Sequence, residues 1–195
     1  MTRKAPMPYA AIYAAVLGRI VQGHYRPTHR VGIADLAATL GVSTTPVREA
    51  LRQLAGRDII VERHREGFYL APLRARTIAS LYQTHQHWMD QLLGLSVPQG
   101  LAGRPLRNLW RLFDACASQA GDPALSAVRR YLDDRLIVLR RHEAQLLGDM
   151  GARGTAFAQA LAEQDLPAAR RISADFHANC AASADRLAQA FDGSS

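Results

Sequence analysis

The sequence predicts a mainly α-helical protein, with a small helix-turn-helix unit closed by a β-hairpin at the N-terminus and an all-α helical bundle behind it. Three observations carry that expectation. Apolar residues recur at three-and-four spacing through most of the 195 residues, which is the pattern of amphipathic helices. Only two neighbouring runs, Ile59-Ile60-Val61 and Phe68-Tyr69-Leu70, have the composition of strands. The charge is also divided unevenly. Residues 1–74 hold 11 Lys+Arg against 5 Asp+Glu, and residues 75–195 hold 13 against 12, so almost all of the net +7 lies at the N-terminal end. The expected division is 1–73 and 74–195.

Composition narrows the class. At 48% hydrophobic the chain is too apolar for disorder. No apolar run approaches the roughly 18–20 residues that a membrane helix needs. Met1-Thr2-Arg3-Lys4 is followed by no uninterrupted apolar segment, so no signal peptide is expected and the expected location is cytoplasmic. Cys116 and Cys180 are far apart without metal-ligand spacing, and free thiols are expected.

Pro8 opens a first helix, Tyr9 to Gln22, with Ile12, Ala15, Val16 and Ile20 on one face and Gly23 at its end. Pro27 marks a loop. Ile33 to Leu40 is a short helix that buries Leu36, Ala37 and Leu40 and stops at Gly41. Ser43 is placed to cap a third helix reaching about Gly56, with Pro46 in its first turn, where a missing N–H costs little. On that helix Val47, Ala50, Leu51 and Leu54 form an apolar stripe. Arg48 and Arg52 share the opposite side, and Thr44 and Thr45 stand at the start. A helix, a three-residue turn and a second helix with exposed Arg and Thr is the arrangement that inserts a helix into the DNA major groove. Arg pairs with guanine edges, Thr reaches bases or phosphates, and the helix N-terminus itself favours a phosphate. The two strand-like runs flank Glu62-Arg63-His64-Arg65-Glu66-Gly67, a hairpin with a basic tip suited to the DNA backbone or minor groove. The whole therefore reads as a winged helix-turn-helix. The candidate DNA contacts are Arg30, Ser43, Thr44, Thr45, Arg48, Arg52, Arg63, His64, Arg65 and Gly67. Taken singly, each arginine fits a solvated surface equally well.

The stretch Val42-Ser43-Thr44-Thr45-Pro46-Val47-Arg48-Glu49-Ala50-Leu51-Arg52-Gln53-Leu54 resembles the recognition-helix signature of the GntR transcriptional regulators. Leu36-Ala37-Ala38-Thr39-Leu40-Gly41 upstream and Asp58-Ile59-Ile60 downstream fit the same pattern, and the resemblance covers roughly residues 8–72. It implies a winged helix that binds operator DNA as a dimer. It also implies that Arg48 is a DNA-contacting arginine and that Gly67 is the wing-tip glycine near the minor groove. Thr44 stands where most members carry a second arginine, and Ala34 where some carry another, which implies a different base reading or fewer base contacts.

The remaining 120 or so residues read as helices without strands. Pro72 to Thr77 is a basic connector. Ile78 to Leu95 presents Ile78, Leu81, Tyr82, His85, Trp88, Met89 and Leu92 on one face, and Val97-Pro98-Gln99-Gly100 breaks it. Pro105 to about Ala120 carries Leu106, Leu109, Trp110, Leu112, Phe113 and Cys116, and Gly121-Asp122-Pro123 breaks it. Ala124 to Leu147 is expected as one long helix with the stripe Leu125, Val128, Leu132, Leu136, Leu139 and Leu146, punctuated by Gly148 and Gly151. Thr155 to Glu163 and Leu166 to about Phe191 complete a bundle of about five helices.

An all-helical domain behind such a reader resembles the FadR-type subgroup and its ligand-binding (FCD) domain. Ala117 to Leu125 looks like that subgroup's alanine-rich helix end followed by an Asn-Pro helix start, and Phe157 to His177 looks like its last two helices. This domain is shorter than usual, with the shortfall between about Leu95 and Pro105. Many members hold a divalent metal through one Asp and three His, and the metal holds a carboxylate effector. Carried over residue by residue, those positions fall on Leu109, Phe113, near Gly154, and on Phe176 with His177 one place off. His85 and Met89 replace the subgroup's Arg and Glu. Leu and Phe cannot ligate a metal, so the family metal site is expected to be absent, and no cofactor is expected. A pocket inside the bundle would be lined by Tyr82, His85, Trp88, Phe113, Arg135 and Phe176, each of which fits a plain core as well.

The function expected is a dimeric DNA-binding regulator, a repressor of operator DNA modulated by a small-molecule effector, which for this family could be a carboxylate. The alternative is a sequence-indifferent architectural protein whose helical half only dimerises. Neither a Gly-rich phosphate loop nor a locally assembled nucleophile set points to an enzyme.

Overall fold

The computed structural model of the chain describes residues 7–95 and 108–193. The first unit is built from α1 (Tyr9–Val21), β1 (Arg30–Val31), α2 (Ile33–Leu40), α3 (Thr44–Ala55), β2 (Ile60–Arg63) and β3 (Gly67–Leu70). The second is a bundle of α4 (Ala75–Leu95), α5 (Leu109–Ala120), α6 (Pro123–Leu136), α7 (Arg140–Leu147), α8 (Met150–Ala162), α9 (Leu166–Ala182) and α10 (Ala184–Gly193).

In the first unit the expected helices appear almost to the residue. Gly41 ends α2 in the left-handed region at φ +66°, and the Val42 N–H closes back on the Ala37 carbonyl at 3.0 Å. The chain therefore turns sharply into α3. Ser43 stands at the N-cap of α3 as expected, but its hydroxyl does not make the cap hydrogen bond. Val47, Ala50, Leu51 and Leu54 are wholly buried, packed with Ile12, Val16 and Ile20 of α1. We expect Leu51→Ala to cost about 2–5 kcal/mol, through lost burial and the cavity left behind. A lower urea midpoint at unchanged m would register it.

The sheet is antiparallel in the order β1-β3-β2, with Arg30 opposite Tyr69 and Ile60 opposite Leu70. Strand β1 has no sequence signal: two residues form a strand only because β3 offers them an edge. The wing turn, residues 64–66, has Arg65 at φ +61° and is followed by Gly67 at φ +115°. A side chain at Gly67 would be strained there and would also meet Nε of Arg30 at 3.0 Å.

The bundle departs from the expected helix list. The long helix over residues 124–147 is two helices, α6 and α7, broken at Ile137-Val138-Leu139 without Gly or Pro. The break lets Leu136, Val138 and Leu139 all reach the core, while Val128, expected on the inner stripe, is 44% exposed. Asp133 ties the bend together: its two carboxylate oxygens accept from Arg140 at 2.8 Å and Arg129 at 3.0 Å. The last expected helix is likewise divided at Ser183 into α9 and α10. Helix α8 starts at Met150, capped by Asp149, whose carboxylate accepts from the Ala152 N–H at 2.7 Å, so Gly151 lies inside a helix. The expected break at Val97–Gly100 and the start at Pro105 lie outside the described residues. Helix α4 is the central element, packed against α5, α6, α9 and α10.

Candidate nucleic-acid interface

The outer face of α3 and the wing enclose one groove of about 620 Å³, lined by Arg30, Arg48, Arg52, Arg63, His64, Arg65 and Gly67, with Glu62 and Glu66 among them. Burial of the Val47–Leu54 stripe forces Arg48 and Arg52 outward, since they lie on the other side of the same helix. The hairpin register then brings Arg63 opposite Gly67 at the tip. Arg30, from β1, lies against Gly67. Seven of the ten sequence-predicted contacts thus meet in one concave surface. Ser43, Thr44 and Thr45 do not line it; they stand exposed at the start of α3, where the unpaired helix N–H groups favour an anion.

Sequence reasoning passed over the two carboxylates of this surface. Glu62 accepts from Nε of Arg52 at 3.4 Å, tying α3 to the wing, and Glu66 sits 3.6 Å from Arg63. The Arg63 guanidinium also lies 4.3 Å over the Tyr69 ring. Exposed pairs of this kind hold little energy, so phosphates can displace them.

The candidate effector residues do not all meet. Tyr82, His85, Trp88, Phe113 and Phe176 come together at the bundle centre, with His85 5.2 Å from the Trp88 ring and 5.6 Å from Phe113, and Tyr82 edge-on to Phe176 at 6.3 Å. Arg135 is elsewhere: it points to the first unit and donates to the Asp58 carbonyl. Its place near the end of α6, before a bend that the sequence did not announce, carries it away from the centre.

Two buried polar networks that the sequence did not predict share this centre. Nδ1 of His177 is 2.6 Å from the Ser173 carbonyl, and Nε2 of His177 is 2.6 Å from Nδ1 of His85. A carbonyl accepts only, so His177 carries its proton on Nδ1 and His85 donates to Nε2. Burial holds both imidazoles below their ordinary range, His177 at about 4. Beside them the carboxylate of Glu143, fully buried, accepts from the Tyr82 hydroxyl at 2.5 Å and from the Trp110 indole at 2.6 Å. Burial raises its pKa, against these two hydrogen bonds and Arg140, which stacks 4.0 Å over Trp110. Glu143 faces inward from α7, four residues after the buried Leu139 and so on the same helix side.

These residues do not fit the family's metal. Leu109, Phe113 and Phe176 are buried hydrocarbon, and His85 and His177 use ring nitrogens on each other and on a carbonyl. No three His, Cys, Asp or Glu among the described residues are grouped to hold an ion. Cys116 and Cys180 are buried free thiols, and burial pushes Cys116 up to about 12.

Residues 8–70 match the family pattern of bacterial regulatory proteins, gntR family. The chain is 40% identical over 63 residues to the Nta operon transcriptional regulator of Aminobacter aminovorans. It is 32% identical over 79 residues to the HTH-type transcriptional regulator YdhC of Bacillus subtilis (strain 168). These alignments cover 32% and 40% of this chain, and 30% and 35% of those relatives. Both relatives carry the name of transcriptional regulators, and this chain spans about a third of the length of each. In fold, the chain resembles a structure from Rhodococcus sp. RHA1 described as a GntR regulator, at TM-score 0.72 and 18% identity over 90% of this chain and 96% of that one. It resembles E. coli McbR/YncC at TM-score 0.72 and 19% identity over 91% and 97%. No helix among the described residues is long and apolar enough to cross a membrane. The apolar stripe of α3, the wing and these matches agree over residues 8–70, which carry the pattern of the gntR family of bacterial regulatory proteins.

Proposed function

We propose that the protein is a DNA-binding transcriptional regulator that reads a palindromic operator as a homodimer, acts as a repressor, and is modulated by a small molecule in its FadR-type helical bundle. The observation that carries the DNA reading is the groove in which α3 and the wing converge with six cationic or imidazole side chains. Arg48 and Arg52 enter the major groove with the start of α3, with Ser43, Thr44 and Thr45 on flanking bases or phosphates. Arg30, Arg63, His64, Arg65 and Gly67 follow the backbone toward the minor groove. The effector contacts are Tyr82, His85, Trp88, Phe113 and Phe176. The Glu143 carboxylate beside them repels a second carboxylate, so a neutral or cationic effector suits this centre better than the carboxylate of the family. Effector and operator binding oppose each other reciprocally.

Selection from a random duplex pool, followed by titration of the selected duplex, tests the DNA reading. Arg48→Ala should lose roughly 10- to 100-fold in affinity for the selected duplex, the value of a bidentate base contact. Wild-type binding should weaken steeply with salt as counterions are released. Equal affinity for selected and random duplex would leave the architectural alternative instead. Light scattering should give twice the 21.4 kDa chain mass. Thermal-shift screening tests the effector site: amines or sugars should raise the midpoint, and stabilisation by aromatic acids alone would contradict the reading.

A further inference from the structure

The turn that ends α3 is held from the bundle as well as from its own unit. It closes on a left-handed residue that is not glycine, Asp58 at φ +57°. The Ile59 N–H reaches back to the Leu54 carbonyl at 3.1 Å, and the Asp58 N–H to the Ala55 carbonyl at 3.0 Å. Two adjacent side chains of the bundle grip that turn. Arg57 donates to Asp134 at 3.1 Å, and Arg135 donates to the Asp58 carbonyl. The pairing is crossed: each unit supplies one arginine and one acceptor, from consecutive residues. The Arg57 guanidinium also lies 5.5 Å over the ring of Tyr13 on α1. Below the polar pairs, Ile59, Leu70 and Leu73 meet Val138 and Phe191 across a small crevice. On the bundle side, Asp133, the neighbour of Asp134, is bound to Arg140, which stacks on Trp110, which donates to Glu143.

We propose that Asp134 and Arg135 are positioning residues for DNA reading. They hold the C-terminal end of α3 so that its start and the wing meet one duplex in register, and they make the angle of the recognition helix depend on the last turn of α6. The inference rests on α3 being the DNA-reading helix. A clamp on the far end of α3 touches no DNA, so it should govern discrimination more than overall charge attraction.

The test uses full-length protein, the duplex selected by wild type, and a random duplex of equal length. Asp134→Arg adds two positive charges, so simple attraction would tighten binding to both duplexes. Positioning predicts the opposite for the selected duplex: affinity at least about tenfold weaker, with the random duplex unchanged or tighter. The charge swap Arg57→Asp with Asp134→Arg, which restores net charge and the pair, should recover most of the discrimination. Asp134→Asn is a milder variant that should keep its melting midpoint while the amides of Asp58 and Ile59 exchange faster with deuterium. Tighter binding of Asp134→Arg to both duplexes, failure of the swap to restore discrimination, or unchanged amide exchange in Asp134→Asn would each overturn the proposal. Should Arg48→Ala bind the selected duplex like wild type, the DNA reading itself falls and the proposal with it. Loss in Arg48→Ala with no loss in Asp134→Arg removes the clamp alone.

Discussion

Acidification from pH 7.5 to pH 5 should lower the melting midpoint by roughly 4–8 °C, well before carboxylates at ordinary pKa are neutralised. The cause is the buried imidazole relay. His177 titrates at about 4 in the folded protein against about 6.5 when free. Its folded pKa is depressed, so the unfolded chain takes up a proton in this window and the folded chain does not. The stabilisation is therefore complete above pH 6.5 and is lost as pH falls toward 4. At pH 5 the loss from His177 alone is about 2 kcal/mol, which at this chain length corresponds to roughly the stated shift. His85 and His142, both depressed by burial, act with the same sign. Around His85, the cations Arg140 and Arg129 resist its protonation further. Glu143, Asp133 and Asp134 work the other way, because burial raises the pKa of each and the folded chain takes up those protons earlier as pH falls, so they offset part of the imidazole loss. A proton on His177 would also set two N–H groups against each other across 2.6 Å. Thermal melts at the two pH values measure the effect. A flat midpoint, or titration of both buried imidazole signals near 6.5, would contradict it.

Glu143→Ala should be the most damaging single change in the bundle, at roughly 3–5 kcal/mol, and should lower the melting midpoint by about 10 °C. It strands the Tyr82 hydroxyl and the Trp110 indole as buried donors without an acceptor and leaves a cavity between α4, α5 and α7. Glu143→Gln should cost only about 1 kcal/mol. Its carbonyl can accept from Trp110 while its amide donates to the Tyr82 oxygen, so both residues keep a partner. The order of the two variants separates a hydrogen-bonding hub from mere volume. Comparable losses in both would mean that the charge itself is required.

Legibility differed between the two units for a physical reason. In the first, short-range rules suffice. Gly41 permits the left-handed turn between α2 and α3, the stripe Val47, Ala50, Leu51 and Leu54 orients the helix, and Arg48 and Arg52 are left outside. The groove residues follow from that orientation and from the hairpin register. Glu62 and Glu66 were in plain view at the wing, but their pairing with Arg52 and Arg63 depended on where α3 lies beside β2. In the bundle the apolar periodicity located helices but not their breaks. Ile137-Val138-Leu139 holds no Gly or Pro to announce a break, and the bend there lets Leu136, Val138 and Leu139 all be buried.

By itself, then, the sequence determined the mainly helical class, the exposed arginine face of α3, the basic wing and the concentration of nearly all the net positive charge in the first 74 residues. All of these depend on neighbours a few residues apart. The tertiary structure decided what those faces meet. Tyr82 and Glu143 are 61 residues apart, His85 and His177 are 92 apart, and Arg57 and Asp134 are 77 apart. A buried polar group is stable only where a partner arrives with the right geometry, and periodicity carries no record of that arrival. The surface proposed to meet DNA was therefore legible from local pattern, while the centre of the bundle and the pairing of Arg57 with Asp134 were set by packing.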